Sequence, residues 1–323
     1  MAIDLLSVGD VTVDTFLFIN DAHVECSLDK KACQLCVNYA DKLPVERLER
    51  LAAGNAANNA VGATRLGMKA VLVCSIGKDA SGEMIRREMR GEGVDTRLIT
   101  VQPRSQTNAS TVLSFKGERT IFVYHAPRKY ALPAKTPTAR AMYYTSVGEH
   151  HEKLNRDVVT YIKKTGALLG FNPGTYQLRS AAAALKSVLA VTGILFVNKE
   201  EAARIIGRGG EIKEQLAALH QLGAKIVVIT DGPSGSFVFD GEHFYTMGIP
   251  DTPIVERTGA GDAFASAFLV ARMRGKSVPD AMCWGTMNAS SVIMYVGPQA
   301  GLLRASAIVA FHKKHKHVCA IKF

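Results

Sequence analysis

The 323-residue chain lacks any hydrophobic run that approaches the ~18 residues needed to cross a membrane. It also lacks the cationic start of a signal peptide, because its first residues, MAIDLLSVGD, carry acidic groups instead. Both absences predict a cytoplasmic protein. In that reducing compartment the six cysteines are expected to remain mostly thiols, which leaves burial, metal binding or chemistry as their uses.

Acidic groups are in short supply, since 29 Asp and Glu stand against 39 Lys and Arg, for a formal net charge of +10. Such a balance favours acidic partners such as phosphorylated metabolites, although solubility alone would also explain it. The basic residues are scattered, and only HKKHKH at 312–317 is dense, without interleaved aromatic residues for base stacking. The charge pattern therefore argues against nucleic acid as a partner.

No repeat of fixed period and no Pro- or Ser-rich linker is present, and strand-like and helical patterns alternate along the chain. The strand-like DLLSVGD and AVLVCSIG alternate with the helical NAANNAVGATRLG and SGEMIRREMRGEG, the latter with a serine start and a glycine stop. The same alternation of strand-like and helical patterns recurs later, in GILFVN, KEEAARIIG and AKIVVIT. This alternation predicts βαβ units, and hence a single α/β domain over residues 1–323 with a mainly parallel sheet.

Two segments, approximately 12–52 and 105–125, lack this rhythm. Within the second, NASTVLSFKGERTIFVYH alternates around a Lys-Gly-Glu turn, as a β-hairpin does. We therefore predict that the two segments together form one small β lid, inserted into the main domain at two places.

The segment RTGAGDAFASAF, residues 257–268, places glycines directly before an acidic residue and a helical apolar pattern. The first N–H groups of a helix lack internal partners, and its dipole favours negative charge, so backbone with few side chains at Gly259, Ala260 and Gly261 would admit an anion. Asp262 would repel a phosphate there unless its carboxylate acted on a proton. These residues predict a general base for phosphoryl transfer to a hydroxyl, with a helix cap and a simple turn as the alternative interpretation.

Three further stretches carry polar residues suited to the rest of such a site. AAGNAANNAVGATRLG, at 52–67, offers amides for hydroxyl groups at a strand-to-helix corner. VNKEEA, at 197–202, sets Asn198 and Glu201 one helical turn apart, where they can hold hydrated Mg²⁺ and phosphate oxygens. ITDGPSGSFVFDG, at 229–241, predicts a strand, a Gly-rich turn and a strand whose backbone amides can face a nucleotide.

Together, and in this order, these stretches resemble the ribokinase (PfkB) family of carbohydrate and nucleoside kinases. The resemblance covers nearly the whole chain and includes GDVTVD, the Gly-Asn corner, SIGKDASGE, the N-x-x-E pair, TDGPSG, the GAGD box and NASSVIMYVG. The GAGD box followed by an Ala-Phe helix is its most specific element. The resemblance implies a Rossmann-like α/β body with a β lid. It also implies ATP-dependent phosphorylation of a hydroxymethyl group on a sugar or nucleoside, and a sugar is the first expectation.

The resemblance further implies a role for each matching residue. The expected catalytic residues are the base Asp262 and an anion hole formed by Gly259, Ala260 and Gly261. The expected ligands of substrate hydroxyls are Asp14, Gly54, Asn55 and Asn58. The expected residues for ATP, and for Mg²⁺ held through water by Glu201, are Asn198, Glu201, Thr230, Asp231, Gly232, Gly235 and Asn288, the last on the adenine side.

Two departures from the family pattern affect these expectations. Ala53 replaces the first of two glycines at the asparagine corner and is expected to reshape the substrate floor. Glu256 and Arg257 stand where many members have Asp-Thr ahead of the GAGD box. Glu256 retains a carboxylate for a monovalent cation such as K⁺, whereas Arg257 is suited either to a phosphate or to the surface.

The lid segment also contains a cluster of soft metal ligands. His23, Cys26, Cys33 and Cys36 in HVECSLDKKACQLC are spaced as H-x₂-C and C-x₂-C, which would suit a structural zinc ion. The loop between the two pairs is short for a zinc ribbon, and small apolar cysteines on a β lid explain the residues equally well.

Several alternatives stay open at the level of function. The acceptor of such a kinase could be a free sugar, a nucleoside or a sugar phosphate. A catalytically silent nucleotide or sugar sensor would share the fold, but the intact Asp262 and N-x-x-E pair argue against it. A dehydrogenase would need G-x-G-x-x-G after the first strand, where VGDVTVD stands instead. Because lids of this kind sometimes pair between subunits, we expect a homodimer by analogy.

Overall fold

The main body of the protein is a ten-stranded sheet with helices on both faces. The structure is a computed structural model that describes residues 2–27, 33–116, 118–179 and 182–323. The strands are β1 (Ile3–Val8), β2 (Thr12–Phe18), β3 (His23–Cys26), β4 (Cys33–Cys36), β5 (Arg47–Ala53), β6 (Ala70–Gly77), β7 (Ile99–Gln102), β8 (Ala109–Phe115), β9 (Glu118–Tyr124), β10 (Ala139–Tyr144), β11 (Leu168–Phe171), β12 (Ile194–Asn198), β13 (Ile226–Thr230), β14 (Ser236–Phe239), β15 (Phe244–Met247) and β16 (Ile321–Lys322). The helices are α1 (Asn55–Arg65), α2 (Ala80–Gly91), α3 (Glu152–Thr165), α4 (Thr175–Arg179), α5 (Ala182–Leu189), α6 (Lys199–Ile206), α7 (Ile212–Gln221), α8 (Ala260–Met273), α9 (Val278–Val292) and α10 (Ala305–Lys314).

The strand order of the main sheet is β16-β15-β14-β13-β12-β11-β10-β1-β6-β7. Neighbouring strands are parallel from β13 to β7 and antiparallel from β13 to β16. The predicted α/β class with a mainly parallel sheet is therefore confirmed. Among the described residues, no helix combines the length and the apolar character that crossing a bilayer would require.

Burial on both faces of the sheet explains why its central strands read as continuous apolar runs. Leu5 of β1 packs into the hydrophobic cluster beneath α1, α8 and α9, and the next residue, Leu6, packs into the cluster beneath α3, α5 and α7. Neither side chain retains any exposed surface. A strand with both faces covered loses the polar alternation of a surface strand.

A separate four-stranded sheet, here called the lid, has the order β5-β2-β8-β9. Its strands come from the two stretches that lack βα rhythm, and β8 and β9 form the predicted antiparallel hairpin. The turn residue Lys116 has a φ of 50°, while Gly117 lies outside the described residues. Because side chains alternate across a strand, Asp14 and Phe16 of β2 share one face of the lid and Thr15 and Leu17 the other.

The remaining sheet is the hairpin of β3 and β4, and it corrects the predicted zinc site. Cys26 and Cys33 form a disulfide, so these two of the six cysteines are not thiols. The strand register pairs His23 with Cys36 and Cys26 with Cys33. Positions three apart on a strand face opposite sides, so the four predicted zinc ligands cannot converge on one ion. The four-ligand zinc site is wrong for this structure.

The start of α2 also differs from the prediction. The sequence predicts that Ser81 begins the helix, but the N-cap residue is Asp79, whose side chain accepts a hydrogen bond from the Gly82 N–H at 2.8 Å. The same carboxylate accepts bonds from the N–H and the hydroxyl of Thr107, at 2.7 and 2.6 Å. Asp79 thus joins the helix start to the chain that leads into β8, a contact that local sequence does not reveal.

Candidate active site

A cleft of about 450 Å³ lies between the lid and the carboxyl ends of the parallel strands. Ligand sites of open α/β sheets form at this edge, because the loops that follow the strands converge there. Most of the predicted site residues line this cleft: Asp14, Gly54, Asn55, Asn58, Asn198, Glu201, Thr230, Gly259, Ala260, Gly261 and Asp262.

Helix α8 begins beneath the cleft, and its N-terminal end contains two glycines that are there for different structural reasons. Gly259 is the N-cap of α8, has a φ of 83°, and leaves no room for a Cβ atom because Pro298 packs against it. Gly261 lies within the first turn, and a Cβ added there would meet nothing within 4 Å. Packing therefore explains Gly259, whereas the space beside Gly261 is open to a ligand in the cleft.

Asp262 is the third residue of α8 and is nine-tenths buried, with 7% of its surface exposed. Its carboxylate does not cap the helix and instead accepts a 2.8 Å hydrogen bond from the Asn58 side-chain amide. Burial raises the pKa of Asp262 to about 6, and Glu201 and Asp14 add to this effect, while the Asn58 hydrogen bond opposes it. A carboxylate with a pKa near neutrality is suited to accept a proton from a hydroxyl.

Asn58 acts mainly as the holder of that carboxylate. Its side-chain oxygen accepts a 2.9 Å hydrogen bond from the Gln299 amide, which also donates to the carbonyl of Ala52. Gln299 therefore fixes which end of the Asn58 amide faces Asp262. The neighbouring predicted ligand Asn55 lines the cleft and donates at 3.5 Å to Asn172.

Asp14 reaches the cleft from the lid strand β2. One of its oxygens, Oδ1, is buried without a hydrogen-bond partner in the part of the chain that the structure describes. Burial raises the pKa of Asp14 to about 6, hydrogen bonds from Ser110 and Thr12 oppose the rise, and the charge of Glu256 adds to it. An unsatisfied buried carboxylate oxygen in a cleft is well placed to receive a ligand hydroxyl.

The predicted nucleotide and metal residues divide into two groups. Asn198 and Glu201 line the cleft but also form a reciprocal capping box at the start of α6, with bonds of 2.8 and 2.9 Å. Burial raises the pKa of Glu201. Thr230, at the end of β13, lines the cleft as predicted.

The other predicted nucleotide residues lie outside the described cleft lining. Asp231 pairs with Lys199 at 3.2 Å. Gly235 has a φ of 86° and is packed against Met247, so backbone geometry explains it, and Gly232 has a φ of 47°. Asn288 is fully buried, donates to the Ala263 carbonyl and accepts from the Leu303 N–H, both at 2.8 Å. Its amide links α9 to α8, and the role of Asn288 on the adenine side stays a prediction.

Glu256, the predicted monovalent-cation ligand, is buried just ahead of α8. Its Oε1 accepts bonds from the N–H and the hydroxyl of Thr258, at 2.8 and 2.6 Å, and lies 3.5 Å from Arg119 of the lid. Its Oε2 is buried with no partner among the residues described. Arg257 lines the cleft rather than the outer surface.

Comparison with known proteins decides the family. The family model described as "pfkB family carbohydrate kinase" matches residues 18–305. The chain belongs to the pfkB family of carbohydrate kinases. The resemblance inferred from the sequence is therefore confirmed, and this protein is a phosphotransferase of the carbohydrate and nucleoside kinase class.

Individual relatives of this PfkB kinase differ in the acceptor that they are named for. A nucleoside kinase of Methanothermobacter thermautotrophicus is 26% identical over 264 residues, covering 80% of this chain and 83% of that protein. An ATP-dependent 6-phosphofructokinase of Thermoanaerobacterium thermosaccharolyticum is 22% identical over 306 residues, covering 91% and 89%. The solved ribokinase of Arabidopsis thaliana complexed with ribose and ATP is 22% identical, with a TM-score of 0.79 and coverage of 97% and 99%, which shows a shared fold.

The PfkB kinase also has cleft residues that the sequence did not single out. Asp10, the second residue after β1, accepts bonds from the Tyr130 hydroxyl at 2.8 Å and the Gly148 N–H at 3.0 Å, and lies 3.3 Å from His125. Asp10 could have been predicted as a site residue, because it is a polar residue at the carboxyl end of a predicted parallel strand. Arg119 lies on β9, and His125 directly follows that strand. Assigning these two residues to the cleft requires knowing which face of β9 is turned toward it.

Proposed function

We propose that this kinase transfers the γ-phosphoryl group of ATP to a hydroxymethyl group of a sugar, with Asp262 as the general base. The observation that supports this most directly is the position of Asp262, nine-tenths buried, held by Asn58 and placed in the first turn of α8 beside open space at Gly261. The base and the anion-binding amides then lie within one helical turn. Proton removal and stabilisation of the transferring group can act on the same acceptor oxygen.

The acceptor end of the cleft favours a neutral polyol. Asp14 and Asp262 raise the free energy of bringing in another anion, whereas hydroxyl groups can donate to the unpaired Asp14 oxygen. Two other acceptors have specific support. The side chains of Ile121 and Val123 line the lid side of the cleft and would cover a nucleoside base, while Arg119 and Arg257 would suit a sugar phosphate.

The donor end fits a nucleotide bound with Mg²⁺. Burial raises the pKa of Asp262, and the charges of Glu201 and Asp14 add to the rise, so a divalent cation near Asp262 would offset this repulsion. Glu201 uses Oε2 in the capping box, which leaves its other oxygen for metal-bound water. Bound Mg²⁺ would supply neutralisation of phosphate charge. The chain itself supplies Asn198, Glu201 and Thr230 along the cleft wall and the free amides at the start of α8.

A monovalent cation at Glu256 is a further part of this proposal. The support is Oε2 of Glu256, a buried oxygen without a partner in the described chain. Arg119 already lies 3.5 Å from the other oxygen and provides positive charge at that place. We therefore expect K⁺ to activate this kinase less strongly in the wild type than in an Arg119→Ala variant.

Asp262→Asn tests the central assignment, with the exposed loop variant Asp251→Asn as a matched control. ADP release is measured with a panel of pentoses, hexoses, their phosphates and nucleosides. For the best acceptor, we expect kcat to fall by about 10²–10⁴-fold in Asp262→Asn, since a general base contributes that much, and ATP affinity to stay nearly constant. Normal turnover by this variant would refute the role of Asp262. The panel separately decides among sugar, nucleoside and sugar phosphate.

We also propose that the kinase forms a homodimer through its lid. On the face of the lid turned away from the cleft, Leu48 and Phe122 are 58% and 59% exposed, and Tyr124 is 46% exposed. Large apolar side chains from the edge strands β5 and β9 thus lie on one solvent-facing surface, where a monomeric protein would place polar residues.

A further inference from the structure

The hairpin of β3 and β4 presents different chemistry on its two faces. The cross-strand register is His23 with Cys36, Val24 with Leu35, Glu25 with Gln34, and Cys26 with Cys33. Because side chains alternate across a strand, one face carries His23, Glu25, Gln34 and Cys36. The other face carries Val24, Leu35 and the Cys26–Cys33 disulfide.

Three potential ligand atoms converge on the first of these faces. Ligand atoms of His23, Glu25 and Cys36 all lie within 4.8 Å of one another. The His23 ring nitrogen Nε2 is 3.2 Å from Oε1 of Glu25. Cys36 is a free thiol and is only partly exposed. An imidazole, a carboxylate and a thiol at this separation form a mixed nitrogen, oxygen and sulfur donor set.

We propose that His23, Glu25 and Cys36 bind a divalent transition-metal ion of the Zn²⁺ type on the outer surface of this hairpin. Zn²⁺ accepts nitrogen, sulfur and carboxylate oxygen ligands, in tetrahedral geometry, whereas Mg²⁺ and Ca²⁺ take oxygen ligands. Three protein ligands leave a fourth position for water. The Cys36 thiol releases its proton on binding, as metal-ligating thiols do.

The disulfide on the opposite face fixes the register of the two strands that carry this site. Cys26 and Cys33 are directly paired across the strands, as are His23 and Cys36, so the covalent link holds the two ligand-bearing strands side by side. The disulfide also removes Cys26 and Cys33 from the pool of thiolate ligands, which leaves Cys36 as the soft ligand of the hairpin. The bound ion would connect β3 to β4 a second time, three residues away from the disulfide.

A Co²⁺ titration of the full chain, air-oxidised and in excess Mg²⁺, tests the site. Co²⁺ takes the same ligands as Zn²⁺, and its thiolate complexes absorb in the near ultraviolet, which histidine-only sites do not. We expect about one equivalent to produce this band and Zn²⁺ to abolish it. Cys36→Ser should remove the band and weaken binding by about 100-fold or more, since even outer-sphere changes cost 10–100-fold.

The controls address the histidines and the exposed thiol of the C-terminal segment. Cys319→Ser, and the triple variant His312→Gln, His315→Gln and His317→Gln, should keep the band at its wild-type intensity. A wild-type protein without the band, or a band that persists in Cys36→Ser, would overturn the proposal. Loss of the band in either control would assign the metal to the C-terminal segment instead.

A second measurement needs no variant and does not depend on how a variant folds. In the oxidised protein, alkylation by iodoacetamide is followed at Cys36 and Cys319 by peptide mass spectrometry. We expect stoichiometric Zn²⁺ to slow modification of Cys36 at least about 10-fold, because the metal-bound thiolate is shielded, and to leave Cys319 unchanged. Equal rates at Cys36 with and without Zn²⁺ would contradict the site.

Discussion

Three neighbours at different sequence distances tune the pKa of Asp262, the base of the proposed mechanism. Burial in α8 raises its pKa, the hydrogen bond from Asn58 opposes the rise, and the nearby carboxylates of Glu201 and Asp14 add to it, for a pKa of about 6. A carboxyl group in water would ionise near 3.8 and would be a weak base at neutral pH. The site therefore makes the carboxylate more basic by removing water and placing like charges nearby, while one amide keeps it ionised.

The pH dependence of the reaction should report this balance. Only ionised Asp262 can accept a proton, so we expect kcat/KM to rise with pH through about 6 and to level off above it. Asn58→Ala removes the hydrogen bond that favours the charged form, so the acid limb should move to higher pH as well as the rate falling. Asn38→Ala, an exposed variant in the loop between β4 and β5, should leave the limb in place. An unmoved limb in Asn58→Ala would separate Asn58 from the titration of Asp262.

The two glycines of the GAGD box should respond oppositely to alanine. Gly259→Ala forces a side chain into φ 83° and against Pro298, so we expect the free energy of unfolding to fall by about 1–3 kcal/mol or more. Gly261→Ala meets no protein atom and gains up to about 1 kcal/mol of helix propensity, so the stability should hold or rise.

Activity provides the second half of this comparison. A methyl group at position 261 occupies the space assigned to the transferring group, so kcat/KM should fall by about 10–100-fold in a fully folded protein. Urea unfolding and ADP release measured on both variants give the result. Full activity in a stable Gly261→Ala variant would argue against an anion at the start of α8.

At the scale of elements, the site depends on how closely α1 approaches α8. Asn58 and Gly62 lie one turn apart on α1, and Asp262 and Ser266 lie one turn apart on α8. A Cβ at position 62 would lie 2.5 Å from the Ser266 hydroxyl and 2.9 Å from its Cβ. The missing side chain of Gly62 thus allows the approach that brings the Asn58 amide within 2.8 Å of Asp262.

Substitutions of Gly62 on α1 and Ser266 on α8, made singly and together, test whether the site depends on this close approach of the two helices. Gly62→Ala alone should reduce the free energy of unfolding by about 1–3 kcal/mol through overpacking, and should lower kcat because α1 is displaced. Ser266→Gly alone should cost about 1 kcal/mol in helix propensity. The double variant should be more stable than the sum of the single effects by about 0.5–3 kcal/mol and should regain turnover. Additive losses would show that the two positions do not interact.

Local sequence patterns predict many of the helices and strands correctly, whereas a pattern that fits two different structural roles is ambiguous. The βα alternation and the β8–β9 hairpin could be predicted, because periodicity and turn residues act within a few positions. The Asn198–Glu201 pair illustrates the ambiguity, since the spacing that suits a metal site is also that of a capping box, and the structure contains the latter. Cys26 and Cys33 could not be paired before the hairpin register was known.

At the scale of the whole molecule, the unpredicted parts of the site are contacts between distant segments. Gln299 orients Asn58 across 241 positions, and Tyr130 binds Asp10 across 120. The first contact joins helix α1 to the loop before α10, and the second joins two loops. None of these segments has a local pattern that identifies its partner. The strand order places them together, so they become readable only once the complete sheet is known.

The apolar outer face of the lid leads to a prediction about the whole assembly. If this face pairs with its copy, light scattering should report the mass of two 34.8 kDa chains, and Phe122→Glu should reduce it to one because it buries a charge in the contact. Val309→Glu on α10, where the native side chain is 47% exposed, introduces the same charge elsewhere and should leave the dimer intact. A monomeric wild type, or equal dissociation by the control, would contradict pairing through the lid. Dimerisation would also explain why a sheet that carries Asp14 on one face keeps leucine and aromatic side chains on the other.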